Sequence, residues 1–129
     1  MKTRDAKAKP LTITITNLGS PTAPVLLGLY GTDNEFLNER DTLNNYKFVP
    51  KGADTLTAQI TDLEYGRYAI ALFQDIDNDG KIAKNFLGIP KDPYAFSNNA
   101  RPTFKAPSFD DCCFDYTELD NSIEITMIR

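Results

Sequence analysis

Leu63-Glu64-Tyr65-Gly66-Arg67-Tyr68-Ala69-Ile70-Ala71-Leu72-Phe73-Gln74 is the stretch on which the fold turns. Asp62 to Gly66 carries turn chemistry, and from Arg67 onward the side chains divide between two faces. Tyr68, Ile70 and Leu72 make one face, and Ala69, Ala71 and Phe73 make the other. A strand that is apolar on both sides has no face to offer water, so the pattern predicts a central strand covered twice. The spacing Leu63-x-x-Gly66-x-Tyr68 adds a second signal. A tyrosine entering a strand just after a turn can bond back to the turn's backbone, forming the tyrosine corner of β-sandwiches.

Outward from this strand the chain keeps a period of two. Leu11, Ile13 and Ile15 alternate with Thr12, Thr14 and Thr16, a half-buried strand of β-branched residues. Val25 to Tyr30 is a short, Gly-flanked apolar run and reads as a second strand. Tyr46 to Val49 is a short strand stopped by Pro50, and Thr55 to Ile60 alternates again. Cys112 to Tyr116 and the alternation of Ile123, Ile125 and Met127 complete the set. Residues 33–45 read as polar, with either one helical turn or a loop around Phe36 and Leu37, and no amphipathic helix of useful length is present. The expected fold is all-β, an antiparallel β-sandwich of about seven strands, with a barrel as the alternative. Residues 1–10 are expected to be a disordered arm, and 11–129 a single domain.

Composition narrows the function. The chain has 129 residues, a formal charge of -4 and 41% hydrophobic residues. That describes one ordinary globular domain, not a disordered chain. The acidic balance argues against nucleic acid, whose phosphates need a basic face. No apolar run approaches the ~20 residues of a transmembrane helix. There is no histidine, so Ser-His-Asp and Cys-His catalytic sites are excluded. The two cysteines, Cys112 and Cys113, are adjacent. A bridge between neighbours would close a strained ring, so two free thiols are expected, one packed and one outward. The charged segment Met1 to Pro10 has no apolar core of a signal peptide. It reads either as the start of a cytoplasmic chain or as the mature start of an exported one.

The candidate ion site follows the central strand. Asp75, Asp77, Asp79 and Gly80 match the first half of a calcium-binding loop, with the carbonyl of Lys81 available at the seventh position. The second half fails, because the bidentate acid expected at the twelfth position falls on Phe86. Asp110, Asp111 or the Asn85 amide would have to complete a calcium site from elsewhere. The competing reading is a hairpin turn whose Asp and Asn side chains bond to local backbone, with Gly80 at positive φ. A long, aromatic-rich, proline-punctuated loop follows, and its apolar side chains require it to pack on the sandwich. Within it, Tyr94 and Phe96 offer stacking surfaces, and Ser97, Asn98 and Asn99 offer polar groups for a small ligand or sugar. A polar turn packed by its own aromatics is the alternative.

Leu63 to Asp75 followed by Asp79-Gly80-Lys81, then Phe86-Leu87-Gly88-Ile89-Pro90-Lys91-Asp92-Pro93-Tyr94-Ala95-Phe96-Ser97-Asn98-Asn99-Ala100 and Pro107-Ser108-Phe109-Asp110-Asp111, resemble a bacterial family, domain of unknown function 2141. The resemblance implies a small exported protein with a prealbumin- or immunoglobulin-like sandwich and no assigned activity. Two departures stand out: no signal peptide is visible, and Cys112-Cys113 occupies a place where small apolar residues are expected.

The leading functional expectation is a non-enzymatic periplasmic or cell-surface binding module, monomeric, whose long loop meets an envelope protein or small ligand, with calcium stiffening the loop. One alternative is a hydrolase of envelope carbohydrate or peptide working through carboxylates, with Asp75, Asp77 and Asp110 as candidates. The other is a structural accessory domain docking on an envelope partner.

Overall fold

The computed structural model describes residues 9–31, 44–80, 91–102 and 105–129. Among these residues, eight strands form two sheets: β1 (Leu11–Thr16), β2 (Val25–Tyr30), β3 (Asn44–Phe48), β4 (Leu56–Ile60), β5 (Gly66–Gln74), β6 (Tyr94–Phe96), β7 (Phe114–Tyr116) and β8 (Ser122–Thr126). A 3₁₀ turn, Ser97–Asn99, follows β6, and one helical turn, α1 (Phe109–Cys112), precedes β7. The fold is all-β and sandwich-like, as the alternation predicts.

The smaller sheet has the order β4-β1-β8, and the larger runs β3-β2-β5-β6, with β7 also paired to β5. Leu11, Ile13 and Ile15 of β1 are buried, as are Val25, Leu27 and Leu29 of β2 and Ile125 of β8. These residues meet Ile70 and Leu72 of β5 in one core drawn from both sheets. Ile70 is fully buried, and Ala69 on the opposite face is equally covered. Ala69 belongs to a second cluster with Tyr30, Phe109 and Cys112, so α1 supplies the second cover that the two-sided pattern demands. The tyrosine corner is present: the Tyr68 hydroxyl donates to Glu64 O at 2.6 Å.

Two expectations need correction. The sandwich is not wholly antiparallel, because β1 and β8 run parallel, from Thr12 opposite Ser122 to Thr16 opposite Thr126. Alternation reports which face is buried but carries no strand direction. First and last strands can pair in parallel because the rest of the chain serves as their crossover. The expected count of about seven strands holds, with eight among the described residues, Tyr94–Phe96 pairing with Phe73–Ala71. Second, the segment starting at Cys112 is not all strand. Ser108 caps α1, accepting from Asp111 N at 3.1 Å, while its own N–H donates to the Asp111 carboxylate at 3.1 Å. That capping box winds Phe109–Cys112 into helix and delays β7 to Phe114.

The two short strands pair with β5 in succession. β7 covers Gly66–Tyr68 and β6 covers Ala71–Phe73. Between these ladders, Ser97 replaces a strand. Its hydroxyl oxygen accepts from Ile70 N at 2.9 Å and donates to Cys112 O at 2.5 Å. Ser97→Ala should therefore orphan a buried backbone N–H and cost about 1–3 kcal/mol in urea unfolding. A loss within error of zero would show that Ile70 N–H finds another acceptor.

Candidate functional site

The chemistry-bearing residues singled out in the sequence lie in two places. One is the loop pole of the sandwich, just beyond the C-terminal end of β5. The other is the seam where residues 94–99 join β5 to β8.

At the pole, Gln74 ends β5 with a fully buried side chain. Its Oε1 accepts from Gly19 N at 2.8 Å and Ser20 N at 3.0 Å, and its Nε2 donates to Ser20 O at 2.7 Å and Ala23 O at 3.0 Å. One amide thus uses both donors and both lone pairs of its oxygen to hold the β1–β2 loop. Ser20 Oγ continues the folding of that loop, accepting from Thr22 N and Ala23 N. Gly19 is required by close approach: a Cβ there would lie 2.4 Å from Pro93 Cγ.

Asp75 follows and is also buried, 2% exposed. Its N–H donates to Pro24 O at 2.8 Å. Its two carboxylate oxygens accept from Asp79 N at 3.2 Å and Gly80 N at 2.7 Å. Asn78 and Gly80 take positive φ of 56° and 76°. This is the geometry of the hairpin-turn reading, in which the first aspartate closes its own loop. Asp77 and Asp79 are exposed, while Lys81, the carbonyl ligand of the calcium reading, lies outside the described residues, as do Asn85 and Phe86. Asp110 sits on α1 in the first turn, with Asp111 held in the capping box. Among the described residues, no group of three or more His, Cys, Asp or Glu comes together to hold a metal. A calcium ion at this loop would have to draw Asp75 away from two backbone N–H groups.

Around this turn the pole opens into a groove of about 420 Å³, lined by Ser20, Pro24, Lys47, Val49, Asp75 and Ile76 among others. Val49 is 55% exposed and Ile76 43% exposed. Sequence reading passed over this trio of Lys47, Val49 and Ile76. The available signals were an apolar residue set between two aspartates, at Ile76, and a valine left outside a strand end before Pro50.

The seam accounts for the residues expected to form a binding loop. Tyr94 and Phe96 are strand residues in edge-to-face contact, with ring centroids 6.0 Å apart. Tyr94 also bridges to Ile128 through Tyr94 N to Ile128 O at 3.0 Å and Ile128 N to Tyr94 O at 2.7 Å. Ser97 is fully buried and engaged as described above. Asn98 Nδ2 donates to Cys113 O at 2.6 Å, and Asn99 Oδ1 accepts from Thr126 N at 2.8 Å. Both asparagines take positive φ, the conformation in which a short amide side chain is tolerated. Tyr94 and Asn99 thus tie the larger sheet to β8 and the residues after it, while Ser97 and Asn98 tie it to α1 and Cys113.

Both thiols are free, with Cys112 buried and Cys113 half-buried. Burial pushes the Cys112 thiol up to about 12, with the nearby Asp111 acting in the same direction. That is the opposite of the electropositive setting that makes a reactive cysteine.

Together, the fold and the pole define a two-sheet β-sandwich whose loops are pinned by buried polar side chains. The sequence profile of a family described as uncharacterized protein conserved in bacteria (DUF2141) matches residues 13–124, and the chain belongs to that family. No curated protein and no solved structure matches the chain significantly.

Two measurements test this site. Because Asp75 is already engaged, melting temperatures should coincide in millimolar calcium and in chelator. A calcium-dependent rise that Asp77→Asn removes would instead assign an ion to the loop. The second test is alkaline. The folded chain keeps the Cys112 proton up to about pH 12. The unfolded chain loses it near about 8.5. Between these values the folded state binds more protons, so stability should fall as pH rises. Burial raises Tyr68 as well, adding a decline of the same sign at higher pH. Urea midpoints measured from pH 8 upward should fall less steeply in Cys112→Ala than in the parent chain.

Proposed function

We propose that this protein is a non-enzymatic binding module of the bacterial envelope or cell surface, with the loop pole as its contact surface. One observation carries the reading: polar side chains at the pole and the seam are used in holding backbone. Gln74, Asp75, Ser97, Asn98 and Asn99 each bond to main-chain groups of loops or strands. Val49, Ile76 and Lys47 face outward at the pole, with the exposed Asp77 and Asp79 in the turn beside them. A rigid scaffold that displays exposed apolar groups on pinned loops is the usual architecture of a recognition surface.

The envelope location rests on the export that the family resemblance implies. Many cell-surface domains share this sandwich architecture, which supports the assignment by analogy. No helix among the described residues is long and apolar enough to cross a membrane. Two experiments test the proposal. Fractionation of the producing bacterium should place the protein outside the cytoplasm. A photo-cross-linking residue at position 76 should give discrete adducts in the same cells, and one at Glu124, on the outer face of the smaller sheet, should give none. Adducts at neither position would overturn the contact-surface reading.

A further inference from the structure

A strand at the rim of a sheet leaves one row of N–H and C=O groups unpaired, and folded chains blunt such rims with charge, proline, brevity or cover. Most rims of this sandwich are blunted in one of these ways. β3 carries the exposed Lys47 and is followed by Pro50. β6 and β7 are three residues each. β8 is covered on its far side by Asn99, whose Oδ1 accepts from Thr126 N at 2.8 Å, and just beyond it Ile128 bridges to Tyr94. Among the described residues β4 is the exception. It is a rim strand paired to β1 alone. From Thr55 to Thr61 it has neither charge nor proline. Its register on β1 runs unbroken from Leu56 to Ile60, with no bulge.

Thr12 N donates to Asn121 O at 2.8 Å, and Met127 N donates to Thr16 O at 2.9 Å. The main-chain groups of Thr12, Thr14 and Thr16 therefore turn toward β8. Those of Leu11, Ile13 and Ile15 turn the other way and meet Ile60, Ala58 and Leu56 of β4. On β4 the alternate residues, Thr57 and Gln59, then direct their N–H and C=O groups away from the sheet. Both residues are exposed. Their main-chain groups have no protein partner among the described residues. Such a row is the template on which another extended strand adds by main-chain hydrogen bonds. The charged residues that flank β4 along the chain are Lys51 and Asp54 before it and Asp62 and Glu64 after it.

We propose that β4 pairs with β4 of a second copy of this chain, antiparallel and centred on Thr57, so that two three-stranded sheets continue as one. A second copy supplies the strand that fits: the same open, uncharged rim with apolar and polar side chains in the same phase. Centred on Thr57, each Thr57 faces its counterpart, Gln59 comes opposite Thr55, and the half-buried Leu56 comes opposite Ala58 on the core side. The flanking acids select this register. Centring on Ala58 would set Asp54 opposite Asp62 of the second copy, and centring on Gln59 would set Asp62 against Leu56, whereas centring on Thr57 avoids both. The contact is isologous and uses the one unblunted rim, so it closes at two chains. It replaces the monomer expected from sequence and is independent of the contact surface at the pole. Each copy carries a formal charge of -4, so salt should strengthen the pair by screening the repulsion. One short strand makes a small interface, and the expected affinity is weak, on the order of 10⁻⁵–10⁻³ M.

Sedimentation of the purified full chain, followed from low micromolar to millimolar concentration, tests the proposal. The weight-average mass should rise toward two copies, stop there, and rise more steeply at high salt. Thr57→Lys and Thr57→Glu change an exposed position that faces itself across the two-fold axis. Each alone should weaken the pairing severalfold, because like charges then stand opposite each other. Mixed together, the two variants should pair more tightly than either does alone. Thr14→Lys makes the same charge change on the neighbouring strand β1, away from the rim, and should leave the pairing unchanged. A parent chain that stays monomeric at millimolar concentration would overturn the proposal. So would growth beyond two copies, association of both Thr57 variants at parental strength, or a mixture that pairs no better than its components. Cross-linking at position 76 reports on the pole alone and should be unaffected by Thr57→Lys, so the two readings fail separately.

Discussion

Strand β5 is buried on both faces, so its polar groups must be satisfied inside the protein. The rest of the architecture follows from this constraint. On one side β2 supplies a continuous ladder from Val25 opposite Gln74 to Tyr30 opposite Ala69. Additional partners come from pieces too short to be strands of ordinary length. β7 covers the start of β5, β6 covers a stretch near its end, and the hydroxyl of Ser97 takes Ile70 N–H between them. A buried N–H without an acceptor is costly, and this explains why a serine sits in the interior of an otherwise apolar region.

The same demand shapes the loop pole. When β5 leaves the sheet it carries Gln74 and Asp75 with it, and each side chain becomes the organising centre of a loop. Gln74 suits a neutral environment because it offers two donors and one oxygen with two lone pairs, and the β1–β2 loop presents two N–H groups and two carbonyls to match. Glutamate would turn an acceptor oxygen toward those two carbonyls in place of the Nε2 donor, and leucine would leave four backbone groups unpaired. Among the described residues, the Asp75 side chain meets N–H groups, those of Asp79 and Gly80, which is what a carboxylate can satisfy. The distinction between amide and carboxylate at adjacent positions follows from what the surrounding backbone presents. The groove and its exposed apolar rim exist because these two side chains hold two loops in place at one end, the β1–β2 loop and the turn after β5.

The covering of β5 by α1 ties the cysteines to the same logic. Cys112 lies with Phe109 against Tyr30 and Ala69, so it acts as a small apolar side chain. Its carbonyl accepts the Ser97 hydroxyl, and the carbonyl of Cys113 accepts the Asn98 amide. Cross-strand pairing of Arg67 with Asp115 at 3.1 Å adds an ion pair along β7, but both partners are more than half exposed and contribute little to stability.

How much of this was legible in the sequence depends on the range of the interaction. Period-two patterning and short apolar runs are local properties of a strand: alternation placed β1, an apolar run placed β2, and two apolar faces placed β5 with Ile70 inside. The tyrosine corner was also readable, because Tyr68 and Glu64 lie four residues apart and the bond closes within one turn. The capping box at Ser108 and Asp111 is equally local, and attention to it would have put Cys112 in helix instead of strand. By contrast, β6 is three residues long and follows Pro93, too short to show a period. The parallel partnership of β1 with β8 joins residues more than a hundred positions apart through backbone groups that every residue carries. The roles of Ser97, Asn98 and Asn99 depend on which carbonyls and amides the fold brings beside them. The groove likewise exists only once β3, the β1–β2 loop and the turn after β5 converge. Sequence by itself determined which side chains leave water and which turns close on themselves, since those are short-range consequences of side-chain type. Tertiary structure alone decided which distant backbone groups each buried polar side chain must satisfy, and so which apolar side chains remain outside.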